Sequence, residues 1–298
     1  MKAIILKPNL MITQFFSFIR WPNLLMLAGI QFLVYFKLLN VSESVLSVTD
    51  LIFLVIITIC LGASGYVVND YYDRDIDRIN KPDKWSAGNT WSLQQVRMIY
   101  IILAGTGFIL SLWCAWRLDM MAYIFIYPLA LTGLWFYSYR MKCMPVIGNF
   151  WVSLFCAGVV AIIALPDILL DRIHVIKDAF WYYILFAFLS TWYREVIKDI
   201  EDVTGDTQGQ CKTAVVLWGM KNGKIMAIVF GLFLLAALLY WDSKQPSHWI
   251  QLTLTVLQGF TVGSMAFVWW AKGNKDFHYA SVIVKGIMIA GTLMLFLL

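Results

Sequence analysis

Apolar stretches of roughly 17–22 residues recur along this chain, each long enough to cross a bilayer as a helix. They fall at about 22–39, 50–70, 98–116, 120–138, 147–166, 178–193, 223–241, 249–271 and 279–298. The pattern predicts nine membrane-spanning helices. No Ser/Gly linker, low-complexity tract or soluble-sized segment separates them, so residues 1–298 read as one polytopic domain. The sixth stretch runs through Trp192, Tyr193 and Arg194 into charge. The second and sixth are expected to continue as ordinary helix beyond the membrane face.

Polar positions break this pattern in two places. The second stretch passes without a turn signal into Tyr66-Val-Val-Asn-Asp-Tyr-Tyr-Asp-Arg-Asp-Ile-Asp77. On a helix Asp70, Asp73 and Asp77 stand at i, i+3 and i+7, so three carboxylates share a face and Asp75 does not. The sixth leads into Tyr193-Arg-Glu-Val-Ile-Lys-Asp-Ile-Glu-Asp-Val-Thr-Gly-Asp206. Here Glu195, Asp199, Asp202 and Asp206 follow i, i+4, i+7 and i+11, Glu201 points elsewhere, and Gly205 is expected to loosen or end the helix. A carboxylate at membrane depth costs about 2.5–3.5 kcal/mol, and clustered anions repel unless a cation sits among them. Hard oxygen ligands of this kind suit Mg²⁺ carrying substrate phosphates. The two stretches lie about 125 residues apart at equivalent helix ends, the mark of an old internal duplication that would bring two carboxylate faces to one diphosphate.

Composition supports the membrane reading. Of 298 residues 61% are hydrophobic and 14% charged, against about 45–50% and about 25% in soluble domains. Basic residues divide unevenly. The N-terminus and even-numbered connections carry 17 of the 23 Lys and Arg, including Arg20, Arg74, Arg78, Lys84, Arg140, Lys142, Arg194 and Lys198; the opposite side carries Lys37, Arg117, Arg172, Lys177 and Lys244, and Lys285 lies within the last stretch. This bias predicts a cytoplasmic N-terminus, with both acidic clusters on the cytoplasmic side of a cell membrane. Residues 1–20 do not read as a cleaved signal.

Basic groups interleaved with the carboxylates would hold phosphate oxygens that metals do not. Lys142, Arg194 and Lys198 are the leading candidates, whereas Arg78, Lys84, Lys221 and Lys224 are equally explained as headgroup anchors. The five cysteines, Cys60, Cys114, Cys143, Cys156 and Cys211, show no CxxC spacing and read as reduced packing residues. His174, His248 and His278 lack metal-binding spacing. No glycine-rich nucleotide fingerprint or nucleic-acid-binding feature is present.

At the two acidic stretches the chain resembles the UbiA family of intramembrane prenyltransferases. Asn69, Asp70, Asp73 and Asp77, continuing to Asn80-Lys81-Pro82, match its N-D-x-x-D-x-x-x-D motif, and Asp199, Asp202 and Asp206 match D-x-x-D-x-x-x-D. Tyr137-Ser-Tyr-Arg-Met-Lys142 with Gly148-Asn149 resembles the family's Y-S-x-x-L-K…G-N segment, and Arg20-Trp21-Pro22-Asn23 its R-x-x-N entry. The resemblance implies an all-α bundle of nine helices around a central cavity, with a cytoplasmic cap carrying both motifs. It also implies a polyprenyl diphosphate donor, a lipophilic acceptor and two Mg²⁺ ions. By that analogy Asp70, Asp73, Asp77, Asp199, Asp202 and Asp206 bind metal, and Asp70, Asp73, Asp199, Asp202 and Lys142 are central to catalysis. Arg20, Asn69, Lys142, Arg194 and Lys198 hold the diphosphate or order the motif. Tyr66, Tyr71, Tyr72, Trp135, Tyr137, Tyr139, Asn149 and Phe150 are candidates for sheltering an allylic cation.

Within the family, Asn69–Pro82 is most similar to members acting on geranylgeranylglycerol phosphate or chlorophyllide. Departures occur at Asp83-Lys-Trp-Ser-Ala-Gly88 and at Asp202-Val-Thr-Gly-Asp206. The expected acceptor is therefore a glycerol-phosphate lipid, with an aromatic quinone precursor or chlorophyllide as the alternative. A cation-coupled transporter would place its carboxylates near the midplane beside broken helices, and the centres of helices two and six carry no such breaks.

Overall fold

The computed structural model describes residues 8–80 and 90–298, with side chains except at 8–11, 76, 79 and 80. Lys2, Lys7 and the run Lys81, Pro82, Asp83, Lys84 to Gly88 lie outside the described residues. Eleven α-helices and three 3-10 turns make up the regular structure there: α1 Pro8–Phe18, α2 Trp21–Leu38, α3 Val48–Asn80, α4 Leu93–Leu118, α5 Ala122–Tyr139, α6 Ile147–Leu169, α7 Asp178–Glu201, α8 Val203–Gln208, α9 Ala214–Ser243, α10 His248–Trp270 and α11 Asn274–Met294.

Each of the nine expected stretches is helical, and α1 is an additional helix that the apolar pattern does not announce. Seven of the helices are long and apolar enough to cross a membrane. The two others, α5 and α7, are diluted by Tyr, Trp, Ser and Thr, and α7 also by its charged last turns. The sixth stretch runs unbroken through Tyr193 and Arg194 to Glu201.

The chain divides into two compact units, Met1–Gly29 with Ile52–Tyr139, and Ile30–Leu51 with Arg140–Leu298. In the first, Phe18, Ile19, Leu24, Ala63, Val67, Trp91 and Val96 form a buried cluster under the start of the acidic stretch, with Tyr66 and Tyr71 packed against it. Helix α4 begins where Ser92 and Gln95 exchange hydrogen bonds in a capping box, which satisfies end donors that apolar flanks cannot. Helix α3 runs 33 residues without interruption, about 50 Å at 1.5 Å per residue, so the first acidic stretch is rigid helix to its end.

In the second unit α7 is the central helix, burying Phe180, Tyr183, Phe186, Tyr193, Val196, Ile197 and Ile200. The Tyr hydroxyls are satisfied on neighbouring helices: Tyr183 meets Thr292 at 2.9 Å and Tyr193 meets Ser264 at 3.0 Å. Buried hydroxyls need such partners, and here they fix α7 against α11 and α10. Helix α9 is kinked at Gly219, whose φ of 83° only glycine adopts readily. Lys224 donates to the carbonyls of Trp269 and Ala271, capping α10 rather than reaching for headgroups.

Cys143 and Cys211 form a disulfide, which corrects the reading of all five cysteines as reduced. They lie 68 residues apart with Cα atoms 4.6 Å from each other, a proximity that spacing cannot show. Cys60, Cys114 and Cys156 form no disulfide. Thiol titration of the denatured, unreduced protein is expected to find three reactive groups; five would break the pairing.

Candidate active site

In the first unit the unbroken α3 places Asp70, Asp73 and Asp77 on one side, each partly buried, while Asp75 faces solvent. Arg20, between α1 and α2, adopts a left-handed backbone with φ of 54°. Its guanidinium donates to Asp70 at 2.6 Å and lies 4.8 Å from the Tyr66 ring centre. Burial works against the Arg20 charge, but Asp70, Tyr66 and Asp77 outweigh it and raise the guanidinium's affinity for its proton. Asn69 donates to Asp73 at 2.6 Å, so the asparagine one residue before the first Asp orders the second. The spacing i, i+4 is what permits that bond.

Tyr71 accepts from Arg97 at 2.7 Å, a partner that charge counting had treated only as a topology signal. Tyr72, Trp135 and Tyr139 form an aromatic group, with Trp135 stacked on Tyr139 at 5.2 Å between ring centres. Tyr137 is partly buried in the same unit.

In the second unit the helical face is not continuous. Helix α7 ends at Glu201, Asp202 is the junction with φ −91° and ψ 3°, and α8 carries Asp206 with Gly205 inside it. The break falls at Asp202 and not at Gly205. Asp202-Val203-Thr204 is a run of poor helix formers, two of them β-branched, while Gly205 is buried in a helical turn. The Asp206 amide donates to the Asp202 carbonyl at 3.1 Å, which keeps the two acids adjacent across the junction.

Asn149, near the start of α6, donates to Asp199 at 2.9 Å. Its amide thus engages the acidic stretch, whereas the resemblance had grouped it with the prenyl-sheltering residues. Burial pushes the Asp199 carboxyl up to about 8, with the Asn149 hydrogen bond opposing the shift. Lys142 sits in the short turn Met141–Cys143, partly buried. A side chain at Gly148 would come within 3.0 Å of the Lys142 Cα. The glycine therefore lets the lysine-bearing turn lie directly on α6. Val146, between them, holds φ of 68°, an unfavourable conformation for a β-branched residue. The Cys143–Cys211 bond ties the same turn to the segment after α8, where the Cys211 amide donates to the Asp206 carbonyl at 2.8 Å.

Further contacts surround the second acidic stretch. Glu195 accepts from Arg194 at 3.2 Å and lies 3.9 Å from Lys198, gathering two predicted phosphate-binding cations. Glu201, expected to be a bystander, meets His278 at 2.9 Å. Phe150 joins Phe188 and Trp192 in an aromatic cluster, and Trp192 stacks on Phe230 at 4.3 Å.

Among the described residues no three of His, Cys, Asp and Glu converge into a ready-made metal site. The carboxylates are held instead by hydrogen-bond donors, and at Asp70 the donor is itself a cation. Hard oxygen donors at helical spacing with a guanidinium on the first of them fit a divalent ion that carries phosphate.

Fold and site define a polytopic helical membrane protein with acid-rich helix ends. The chain belongs to the UbiA prenyltransferase family, whose model matches residues 20–284. It is similar to digeranylgeranylglyceryl phosphate synthase of Thermococcus kodakarensis, 31% identical over 189 residues that cover 63% of this chain and 62% of that protein. To the enzyme of that name from Methanopyrus kandleri it is 30% identical over 241 residues, 79% of this chain and 81% of that one. The chain spans about three fifths of the length of the first curated relatives it matches. Among solved structures, one concerned with digeranylgeranylglyceryl phosphate synthase in membranes superposes with TM-score 0.68 at 21% identity, over 96% of this chain and 97% of that one. A UbiA homolog from Archaeoglobus fulgidus bound to GPP and Mg²⁺ gives 0.62 at 13% identity, over 95% and 99%. At these identities the likeness shows the fold.

Proposed function

We propose that the protein transfers a polyprenyl group from its diphosphate to the hydroxyl of a prenylated glycerol phosphate, at a site open to the cytoplasmic side of a nine-helix membrane domain. The observation that carries this reading is the α3 face: Asp70, Asp73 and Asp77 on unbroken helix, with the Arg20 cation seated on the first. Names of the relatives support the acceptor, and the homolog bound to GPP and Mg²⁺ supports the donor and the metal.

Asp70, Asp73 and Asp77, with Asp199, Asp202 and Asp206, would hold Mg²⁺. Bound there, Mg²⁺ would offset charge developing on the departing diphosphate. Arg20, Lys142 and Lys198 complement the phosphate oxygens. Asn69 and Asn149 fix the rotamers of Asp73 and Asp199, so less reorganisation is needed when charge moves. The allylic C–O bond breaks, aromatic faces shelter the cation from water, and the acceptor oxygen forms the new bond as its proton passes to diphosphate. Tyr66, whose ring centre lies 4.8 Å from the Arg20 guanidinium, is one such aromatic face.

The test supplies purified protein and Mg²⁺ with radiolabelled geranylgeranyl diphosphate and four acceptors: geranylgeranylglycerol phosphate, 4-hydroxybenzoate, 1,4-dihydroxy-2-naphthoate and chlorophyllide. Transfer to the first alone is expected. Transfer to an aromatic acceptor instead would replace the acceptor assignment, and neither transfer nor EDTA-sensitive diphosphate release would sink the reaction class.

A further inference from the structure

Deeper along α7 the second unit carries charge that this reading does not use. Glu201 meets His278 and Tyr183 meets Thr292, which sets α7 and α11 antiparallel, with the pairing slipping by about one turn between the two contacts. Seven residues back along α7 from Glu201 is Arg194, and seven residues forward along α11 from His278 is Lys285. Both displacements are about 10 Å in the same direction. The two cations therefore lie within about one turn of the same level, two turns below the end of α7, near enough for the charge of Arg194 to act on Lys285. Glu195 binds Arg194 and adjoins Lys198 one turn nearer the end of α7, so two cations share one carboxylate. The Arg194 Nε is buried and has no hydrogen-bond partner among the described residues. Charged side chains at membrane depth are costly and are kept where they meet a counter-charge. Three basic side chains, one carboxylate and a buried Nε donor on neighbouring turns of α7 and α11 suit an anion.

We propose that Arg194 and Lys285 form a metal-independent subsite for the phosphate monoester of the acceptor lipid, with Glu195 setting the Arg194 side chain. This rests on the prenyl-transfer reading and adds to it. It moves Arg194 from the donor's diphosphate, to which the sequence alone assigned it, to the second substrate, and leaves Lys198 nearer the metal-binding level. A guanidinium beside an ammonium matches a phosphate dianion, the first through paired N–H donors and the second as a point charge. Prenyl chains on donor and acceptor can both lie in lipid-like surroundings, so the phosphate is what distinguishes this acceptor from an aromatic one. Lys285 lies one residue beyond the stretch that the family model matches.

The experiment compares Lys285→Met, which keeps the aliphatic stem, with Lys285→Arg, which keeps the charge. In full-length protein the Met variant is expected to raise the acceptor KM by roughly 10-fold or more, the scale of one charge-assisted hydrogen bond. The donor KM should stay within about twofold, and the Arg variant should retain most of the wild-type behaviour. A second readout avoids turnover: in EDTA, tritiated geranylgeranylglycerol phosphate should bind wild type and the Arg variant but not the Met variant. A raised donor KM with unchanged acceptor KM would assign the pair to the diphosphate and overturn the subsite. Equal EDTA-resistant binding to both variants, or none to wild type, would overturn it too. Mg²⁺-dependent transfer to any acceptor tests the reaction class separately. Melting temperatures in detergent show whether either variant is merely unfolded.

Discussion

Replacing Asp70 with Ala is expected to lower prenyl transfer by about 10²–10³-fold or more, the scale of losing one group that stabilises developing charge. Two effects combine. The variant removes a candidate metal oxygen, and it leaves the Arg20 guanidinium without the carboxylate it clasps at 2.6 Å. Asp70→Asn separates them, because the amide keeps volume and a hydrogen-bond acceptor for Arg20 while giving up the charge. If metal binding is the role, Asn is nearly as damaging as Ala for turnover yet leaves melting close to wild type. If the ion pair is only structural, Asn restores activity. Asp75→Ala is the matching control: its side chain is 85% exposed and, among the described residues, pairs with Arg74 at 3.4 Å. Exposed pairs of this kind contribute about 0–1 kcal/mol. Losses at Asp75 equal to those at Asp70 would undo the helical-face argument. Glu201, also off its shared face, does not serve as an equivalent control, because it holds His278.

Mg²⁺ affinity at the second acidic stretch is expected to climb with pH and level off above about 8, the value to which burial pushes Asp199. Below that pH the metal-free carboxyl holds a proton that a cation must displace. One displaced proton corresponds to about a tenfold gain in affinity per pH unit. The sign for stability runs the other way. A carboxyl whose folded-state pKa is raised favours the folded form when protonated, so metal-free protein loses stability as pH rises from the ordinary carboxylate range toward about 8. Added Mg²⁺ should therefore raise the melting temperature more at pH 8 than at pH 6. In Asp199→Asn both pH dependences should flatten, since the amide neither titrates nor repels its acidic neighbours. Proton release measured on adding Mg²⁺ to weakly buffered protein checks the first claim directly. An unchanged pH slope in the Asn variant would refute the assignment to Asp199.

Much of this protein is written in local pattern. Membrane-length apolar runs mark nine of the helices because each must satisfy its own backbone in lipid, whereas the short α1 and α8 carry no such run. The first acidic face is equally legible: nothing in Tyr66–Asp77 interrupts α3, so i, i+3 and i+7 become one surface. At the second stretch the same arithmetic holds only to Asp199, because the junction at Asp202 depends on what packs around Val203–Gln208 and not on Gly205 alone.

What the sequence by itself determined was residue types at helical spacing: two acidic helix ends, their basic neighbours and the apolar lengths between them. Partners far apart in the chain were decided by tertiary structure. Arg20 reaching Asp70, Asn149 reaching Asp199 and Cys143 meeting Cys211 each join segments at least 50 residues apart. Periodicity constrains neighbours within a few turns of one helix. Which helices pack, and in what register, follows from side-chain fit such as Tyr183 on Thr292, and only the folded chain expresses it.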